Sequence, residues 1–341
     1  MNFPYYKGQG DGKGYDTSEN SLTSRIEKFR KPEKYIADPG LVDACNVALL
    51  LGQPLLLTGQ PGTGKTLFAY SLAWELGLAE PLKFETKSTS SARDLFYTYD
   101  ALKRFQDVQA NVQNKESNNS LDYLTYQALG KAILLTREPT EVAKYLPTDF
   151  EHQGKKRTVV LIDEVDKAPR DFPNDILNEL DLLYFRIPEL GNVKIEADRN
   201  PEYQPIVIIT SNSEKDLPAA FLRRCVYYDV PFPDSARLKG IINNRLGLFS
   251  SGKNQFLDDA LDLFEKLRSP QVNLNQKPAT AELLGWLFAL QKVAENADNP
   301  LSKLNLAKRT LSSLVKNAAD QKKANQLVDK WIEDRKSKDK G

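Results

Sequence analysis

The sequence predicts an α/β fold, a parallel sheet with helices on both faces, followed by an all-α domain. Three apolar runs, at 54–58, 158–163 and 205–212, are typical of parallel strands that are buried on both faces. A glycine-rich segment, GQPGTGKT, follows the first run directly and precedes a helical pattern. After VPFPD (230–234) no strand-like run follows, and the apolar spacing is helical to the end of the chain.

Each element of the first part has a local signal. Strands are predicted at 54–58, 82–86, 158–163 and 205–212. Helices are predicted at 41–51, 66–77, 123–136 and 171–185. Gly52 and Gly77 mark the ends of the first two helices. An alternating pattern around Gly191-Asn192 predicts a hairpin.

The second part of the chain reads as a series of helices. They are predicted at 235–247, 255–268, 279–296, 303–318 and 321–337. We therefore expect three regions: a flexible tail over 1–30, an α/β core over 31–233 and a helical domain over 234–341.

Composition excludes several classes of protein. The single histidine, His152, rules out histidine-based triads and multi-histidine metal sites. The two cysteines, Cys45 and Cys225, form no zinc spacing and no disulfide framework, so reduced thiols are expected. The N-terminus has no apolar core typical of a signal peptide, and the most apolar stretch is too short to span a bilayer. We expect a cytoplasmic protein without membrane insertion.

The glycine-rich segment has the pattern G-x-x-x-x-G-K-[ST]. Glycines let backbone N–H groups wrap around a β-phosphate, and the following helix adds the positive end of its dipole. In this pattern Lys65 reaches the β- and γ-phosphates and Thr66 offers its hydroxyl to Mg²⁺. We expect the nucleotide to be bound by Gly59, Gln60, Pro61, Gly62, Thr63, Gly64, Lys65, Thr66 and Leu67.

Two carboxylates at the end of the second apolar run point to hydrolysis. Asp163 ends the strand, where it can hold Mg²⁺ directly or through water. Glu164 follows it and is expected to polarise the attacking water. The next strand ends near Asn212, whose amide is expected to orient that water.

These pieces, in this order, resemble an AAA+ ATPase: a phosphate loop, LIDE, ITSN, LPAAFLRRC and a helical lid. Within that superfamily, LIDEVDKAPRDFPNDILNELD and DLPAAFLRRCVYYDVPFPD look like the MoxR family. The resemblance covers roughly residues 35–290. It implies the AAA+ form of the P-loop NTPase fold, with ATP and Mg²⁺ as cofactors.

The resemblance also implies residue roles. Lys65, Thr66, Asp163 and Glu164 match the two Walker motifs, and Asn212 matches the polar residue called sensor 1. Arg224 matches the arginine finger, which reaches the nucleotide of the adjacent subunit in AAA+ rings, and Arg223 is its neighbour. A ring-shaped homo-oligomer, a hexamer, is therefore expected. Two surface arginines closing a helix are the alternative for this pair.

Two hairpins are further implied by the resemblance, at Tyr97–Tyr126 and Phe185–Ala197. In related rings such hairpins face the pore or a client protein. For the aromatic side chains of Tyr97, Tyr99 and Phe105, local packing is an equal alternative.

The chain departs from the family at its lid. MoxR-like lids place a sensor-2 arginine after a proline, but NQKPATAELLGWL has Thr280 near that place. Lys277 supplies a point charge without the planar fork of an arginine. This departure predicts that the lid does not sense nucleotide through an arginine, and slow hydrolysis is one consequence.

Three functions are considered. The first is a MoxR-type ATPase that remodels or activates a partner protein, with a von Willebrand factor A (VWA) domain protein as the implied partner. The second is a slow-turnover, ATP-dependent assembly switch in signalling or defence. The third is a DNA-acting AAA+ protein, supported only by the basic excess of the last 46 residues. The near-neutral net charge of +1 argues against nucleic acid as a partner.

Overall fold

The computed structural model describes residues 31–110, 119–247, 254–293, 299–302 and 304–338. They form two compact units. The sheet unit comprises Ala37–Gln60 and Gly64–Pro231. The helical unit comprises Pro61–Thr63 and the described residues before Ala37 and after Pro231. The predicted tail over 1–30 lies outside the described residues.

The sheet unit is built on five parallel strands: β1 (Leu55–Thr58), β2 (Leu82–Glu85), β5 (Val159–Asp163), β8 (Ile206–Thr210) and β9 (Val226–Asp229). They lie in the order β2-β5-β8-β1-β9 across the sheet. Every residue of β1, β5 and β8 is buried, which confirms that the three apolar runs are central strands. Strand β9 is not among the predicted strands, because Val-Tyr-Tyr-Asp is short and half-exposed and gains its definition by pairing with β1.

The register of these strands places their carboxyl ends at one edge. Leu57 pairs with Thr210, and Ile162 pairs with Ile209. Glu85 pairs with Asp163 across the β2–β5 ladder. In parallel sheets the crevice at this edge is the usual place for a ligand.

Helices pack on the sheet and fill the connections between its strands. They are α1 (Pro39–Leu51), α2 (Lys65–Glu75), α3 (Ala101–Ala110), α4 (Ala128–Leu135), α5 (Pro139–Val142), α6 (Phe172–Asp175), α7 (Leu177–Leu182) and α8 (Ala219–Leu222). Short 3₁₀ turns occur at Ala92–Leu95, Ser120–Tyr123, Ala143–Tyr145, Val165–Lys167 and Pro188–Leu190. Gly52 ends α1 in the left-handed conformation, donating its N–H to Ala48, as its sequence position predicts.

The sheet unit also contains two antiparallel hairpins whose inward side chains, among them Tyr97 and Phe185, pack in its core. The first pairs β3 (Tyr97–Tyr99) with β4 (Leu124–Tyr126), and the second pairs β6 (Tyr184–Ile187) with β7 (Val193–Glu196). Both predicted hairpins are therefore present, although residues 111–118 of the first connection lie outside the described residues.

Two predicted helices were partly wrong. The helix predicted over 123–136 begins only at Ala128, because Leu124–Tyr126 pair with Tyr97–Tyr99 as a strand. The helix predicted over 171–185 is interrupted at Ile176 and ends before Leu183, which has a positive φ of 46°. Helical spacing of apolar residues could not reveal the first departure, because the strand that pairs with Leu124–Tyr126 lies more than 20 residues earlier in the sequence.

The helical unit has its own buried core around Phe256, Phe264, Trp286 and Trp331. Its helices are α9 (Ser235–Leu246), α10 (Asn254–Arg268), α11 (Thr280–Val293), α12 (Leu304–Leu314) and α13 (Ala318–Lys338), with 3₁₀ turns at Pro32–Lys34 and Pro300–Ser302. The buried indole of Trp286 donates to the hydroxyl of Thr310 at 2.9 Å, so that α11 and α12 share a satisfied polar contact inside an apolar core. None of the helices in the described ranges has the length and apolarity needed to cross a membrane.

Candidate functional site

The glycine-rich loop joins β1 to α2 at the carboxyl edge of the sheet. Gly59 has a φ of 126°, and a Cβ atom there would lie 2.6 Å from the carbonyl oxygen of Val230. Gly64, with a φ of 94°, immediately precedes the first residue of α2. Both positions therefore require glycine for backbone reasons. Pro61, Gly62 and Thr63, at the middle of the segment, group with the helical unit.

Lys65, the first residue of α2, is turned back onto the loop. Its ammonium donates to the carbonyl of Gly59 at 2.7 Å and to that of Gln60 at 3.1 Å. Burial lowers the pKa of Lys65 below its ordinary value, and the nearby carboxylates, Asp166 first among them, oppose part of that shift. A buried ammonium held only by carbonyls is suited to exchange them for an anionic ligand. The next residues, Thr66 and Leu67, are half-buried.

Asp163 is the centre of a group that we call the carboxylate cluster: Thr66, Lys83, Asp163 and Thr210. Its Oδ1 accepts from the hydroxyl of Thr66 at 2.8 Å and from that of Thr210 at 2.7 Å. Its Oδ2 lies 2.8 Å from the ammonium of Lys83. Burial opposes the charged form of Asp163, but these hydrogen bonds outweigh it and lower the carboxyl pKa.

Glu164 and Asn212 meet beside this cluster. The amide Nδ2 of Asn212 donates to Oε1 of Glu164 at 2.9 Å, and the backbone N–H of Glu164 donates to the hydroxyl of Thr210 at 2.9 Å. Glu164 has a positive φ of 56°, a strained conformation for a residue with a side chain. The turn at the end of β5 therefore directs the side chain of Glu164 toward Asn212, two residues beyond the end of β8.

The loop that carries Asn212 is held by hydrogen bonds to Asp166. The carboxylate of Asp166 is buried and accepts from the backbone N–H of Asn212 at 3.1 Å and of Glu214 at 2.9 Å. The second carboxylate oxygen of Glu164 accepts from Lys167, and this bond raises the pKa of the Lys167 ammonium. Both oxygens of Glu164 therefore have hydrogen-bond donors.

The two predicted arginines lie apart from these groups. Arg224 follows α8 and pairs with Asp181 at the end of α7, and its guanidinium also donates to the carbonyl of Ala220. The side chains of Arg224 and Asp181 are 39% and 37% exposed, and Arg223 is exposed as well. We call Asp181, Arg223 and Arg224 the arginine edge. Its contacts among the described residues include none with Asp163 or Glu164.

The residues at the sheet edge fit ATP with magnesium. The Thr66 hydroxyl and the Asp163 carboxylate are adjacent hard oxygen donors of the kind that Mg²⁺ takes beside phosphate oxygens and water. Within the described ranges, no three His, Cys, Asp or Glu side chains are grouped as a self-sufficient metal site. A cation here would depend on the phosphates of a bound nucleotide for its remaining ligands.

A cavity of about 590 Å³ lies at the opposite edge of the sheet. It is lined by the amino ends of β1 and β8 and by the C-terminal ends of α1 and α7. None of the predicted site residues lines it, so its volume does not bear on nucleotide chemistry.

Sequence reasoning missed the residues that support the predicted ones. The sequence places Thr210 at the end of the third apolar strand but assigns it no role, and Asp166 and Lys167 lie within LIDEVDK without an assigned role. Lys83 lies in no quoted motif, and Asp181 ends LIDEVDKAPRDFPNDILNELD without a role of its own, because their contacts depend on the β2–β5 register and on the approach of α7 to α8. Strand-end position is a usable signal for Thr210, since it ends the strand beside β5.

Comparisons with known proteins bear on the core. The sequence model of a family described as "ATPase family associated with various cellular activities (AAA)" matches residues 55–230. No curated protein sequence matches the chain. Among solved structures, the RuvB Holliday junction branch migration motor of Thermotoga maritima is similar, with a TM-score of 0.40 and 16% identity. That match covers 83% of this chain and 69% of the other.

Proposed function

The chain belongs to the ATPase family associated with various cellular activities, and from that membership we propose that it binds ATP with magnesium and hydrolyses it at the carboxyl edge of the sheet. The observation that carries the proposal is the 2.8 Å hydrogen bond between Thr66 and Asp163, which are 97 residues apart in sequence. Phosphate loop and strand-end carboxylate thus meet where a metal–phosphate complex needs both.

Binding of the triphosphate is assigned to the loop and to Lys65. The backbone N–H groups between Gly59 and Thr66 and the amino end of the 11-residue helix α2 supply a positive field. Lys65 exchanges the carbonyls of Gly59 and Gln60 for phosphate oxygens. Magnesium held by Thr66 and Asp163 supplies charge neutralisation for the phosphates when it is bound.

Proton removal from the attacking water is assigned to Glu164. The water oxygen forms a bond to the γ-phosphorus, the bond to the leaving ADP oxygen breaks, and a carboxylate oxygen of Glu164 takes the water proton. Asn212 already donates to Oε1 of Glu164 and holds that side chain in place. Oε2 becomes available as a base only when Lys167 releases it.

Assembly is proposed to complete the site. Arg224, rather than Arg223, is assigned to the nucleotide of an adjacent copy in a hexameric ring. Support comes from its exposed pairing with Asp181, which leaves the guanidinium at the surface of its own sheet unit. A cation delivered across an interface stabilises charge on the transferring phosphoryl group.

A MoxR-type role in remodelling or activating a protein partner, a VWA-domain protein in particular, is the finer form of the proposal. The sequence segments quoted above support the subfamily. The face of α3 that carries Leu102, Phe105 and Val108 supports a protein partner, because these side chains are 67%, 60% and 47% exposed. By contrast, Tyr97 is buried and donates to Glu189, so it packs locally.

A slow ATP-dependent switch is the second candidate. It is favoured by the double engagement of Glu164 by Asn212 and Lys167, which holds the base in a hydrogen-bonded resting state. Thr280 at the start of α11, where MoxR-like lids have an arginine, also favours slow turnover. Tight nucleotide binding with barely measurable steady-state turnover would identify such a switch.

Calorimetry and phosphate release on two variants test the proposal. Lys65→Ala should abolish Mg-ATP binding, whereas Glu164→Gln should bind it and lose turnover by about 10²–10⁴-fold. Lys144→Ala and Glu141→Gln, outside the site, are the matched controls and should behave as the wild type. Wild-type turnover in Glu164→Gln would contradict the assignment of the base.

The partner proposal has a separate test. The Glu164→Gln protein, held in its ATP state, should retain a partner protein in pull-downs, and Phe105→Ser in that background should reduce the amount retained. Basal hydrolysis by Phe105→Ser alone should be unchanged, because α3 lies outside the nucleotide site. Equal retention with and without Phe105 would remove α3 from the partner surface.

A further inference from the structure

Lys83 is a cation inside the predicted magnesium site. It lies on β2, and alternation along the strand puts it on the same side as Glu85. Because β2 pairs with β5, with Glu85 opposite Asp163, the Lys83 side chain meets the end of β5. Its ammonium is 2.8 Å from Oδ2 of Asp163 and 3.7 Å from Oε1 of Glu85.

The two acceptors of this ammonium differ in environment. The side chain of Asp163 is 8% exposed, whereas that of Glu85 is 67% exposed. Asp163 is already fixed through Oδ1 by the hydroxyls of Thr66 and Thr210. Lys83 therefore supplies charge neutralisation to a carboxylate whose position does not depend on it.

From these contacts we infer that Lys83 is an internal counter-ion that neutralises Asp163 while magnesium is absent and moves to Glu85 when magnesium–nucleotide binds. The inference rests on the proposed function, because it takes Asp163 as a magnesium-binding residue. In this scheme Lys83 acts only through the charge of Asp163 and touches neither the nucleotide nor the attacking water.

The scheme follows from electrostatics. Asp163 without a cation would be a buried, unneutralised carboxylate, which is costly. With both cations present, the ammonium and the magnesium ion repel each other over a few ångströms. Glu85 is within reach and faces solvent, so moving there relieves the repulsion without leaving the ammonium unpaired. Lys83 thus protects the empty site and weakens magnesium binding.

The measured quantity is the effect of magnesium on nucleotide affinity. The probe is the fluorescent nucleotide N-methylanthraniloyl-ADP, titrated with excess magnesium and again with EDTA. We define the coupling ratio as the dissociation constant in EDTA divided by that in magnesium, so a larger ratio means that magnesium strengthens nucleotide binding more. This ratio reports coupling between metal and nucleotide without requiring hydrolysis. A merely structural role for Lys83 would change both constants alike and leave the ratio unchanged.

Substitutions of Lys83 and of Glu85 are expected to change this ratio in opposite directions. Lys83→Met removes the competing charge, so magnesium should strengthen nucleotide binding about tenfold more than in the wild type. Glu85→Gln removes the second acceptor and keeps Lys83 on Asp163, so the ratio should fall by about threefold. Lys83→Arg retains the cation and should stay near the wild-type ratio.

Lys194→Met is the matched control. Lys194 is also a strand lysine, on β7, paired with the carboxylate two residues later, Glu196. It lies away from Asp163, so its loss should leave the ratio unchanged. Should Lys83→Met fail to give a cooperative melting transition, Lys83→Gln replaces it with the same expected rise.

The outcomes separate the two proposals. If the wild type binds the probe but Lys83→Met leaves the ratio unchanged or lowers it, the counter-ion inference is wrong and the nucleotide site stands. A rise in Glu85→Gln would equally overturn the inference. If the wild type binds the probe in neither condition, both proposals fall together.

Discussion

The carboxylate cluster and the arginine edge occupy the same sheet unit but are built in different ways. Asp163 is 8% exposed and has three donors from three elements: Thr66 at the start of α2, Lys83 on β2 and Thr210 at the end of β8. Within the described part of the chain, Arg224 has one carboxylate partner, Asp181, and both side chains are more than a third exposed. The cluster is thus fixed by the core, whereas the edge depends on one surface ion pair.

This difference shows which functions each region can carry alone. A buried, multiply bonded carboxylate is preorganised, so it does not need to be rearranged when the reaction occurs. An exposed ion pair contributes little to stability and can be exchanged for another anion at small cost. Under the proposed function, these are two unlike half-sites: the carboxylate cluster binds the nucleotide of its own chain, and the arginine edge serves the nucleotide of an adjacent copy.

The largest expected effect separates the two arginines of the edge. Arg224→Ala should reduce turnover by about 10³–10⁵-fold, because a cation facing the transferring phosphoryl group is lost. Nucleotide affinity should remain close to that of the wild type, since the carboxylate cluster is intact. Arg223→Ala is the matched control, and equal losses in the two variants would mean that Arg224 has no special role.

A smaller effect is expected inside the cluster. Thr210→Val removes one donor to Asp163 and the acceptor of the Glu164 N–H. The free energy of unfolding should fall by about 1–3 kcal/mol, because the part-buried N–H of Glu164 loses its acceptor and the buried Asp163 carboxylate loses a donor. Turnover should fall as well. Denaturant unfolding measures the stability and phosphate release measures the turnover, with Thr125→Val, at the exposed position of β4, as the control.

The carboxylate cluster should make the stability of the fold depend on pH in the acid range. Because the pKa of Asp163 is lowered in the folded chain, its ionised form stabilises the fold above the ordinary Asp value of about 4. That stabilisation is lost as pH falls through the lower, folded-state pKa. Asp163→Asn should therefore show a shallower loss of stability at acid pH, measured by denaturant midpoints. An identical slope would mean that Asp163 is not held as described.

The smallest effect is expected from the ion pair of the edge. Asp181→Asn should change the free energy of unfolding by less than about 1 kcal/mol, since the pair is exposed. It should also lower the protein concentration needed for half-maximal turnover, because Arg224 no longer has to leave a partner. A higher concentration requirement would show that Asp181 instead holds Arg224 in its working position.

The two regions also differ in how far the sequence predicts them. Thr66, Asp163 and Asn212 follow strands or begin a helix, and parallel strands bring their carboxyl ends to one edge, so their meeting was predictable. The contacts of Lys83 and Asp166 depend on register and loop path, which local patterns do not encode. The pairing of Arg224 with Asp181 depends on how two short helices approach each other.

The elements of the fold differ in the same way: some are predictable from the local sequence, and others depend on pairing with distant residues. Continuous apolar runs predicted β1, β5 and β8, because each of these central strands is apolar up to its last residue and is buried throughout. Strand β4 was mistaken for helix because its three residues are defined by Tyr97–Tyr99, more than 20 residues away. Strand β9 was missed because only half of its residues face the interior.

A mixing experiment tests the division into two half-sites most directly. Glu164→Gln and Arg224→Ala, each almost inactive alone, are combined, and phosphate release is compared with the sum of the separate proteins. The account predicts recovered turnover, since an Arg224→Ala copy keeps its own Glu164 and receives the arginine of a Glu164→Gln neighbour. Mixtures no more active than their components, at concentrations where both variants assemble with each other, would contradict it.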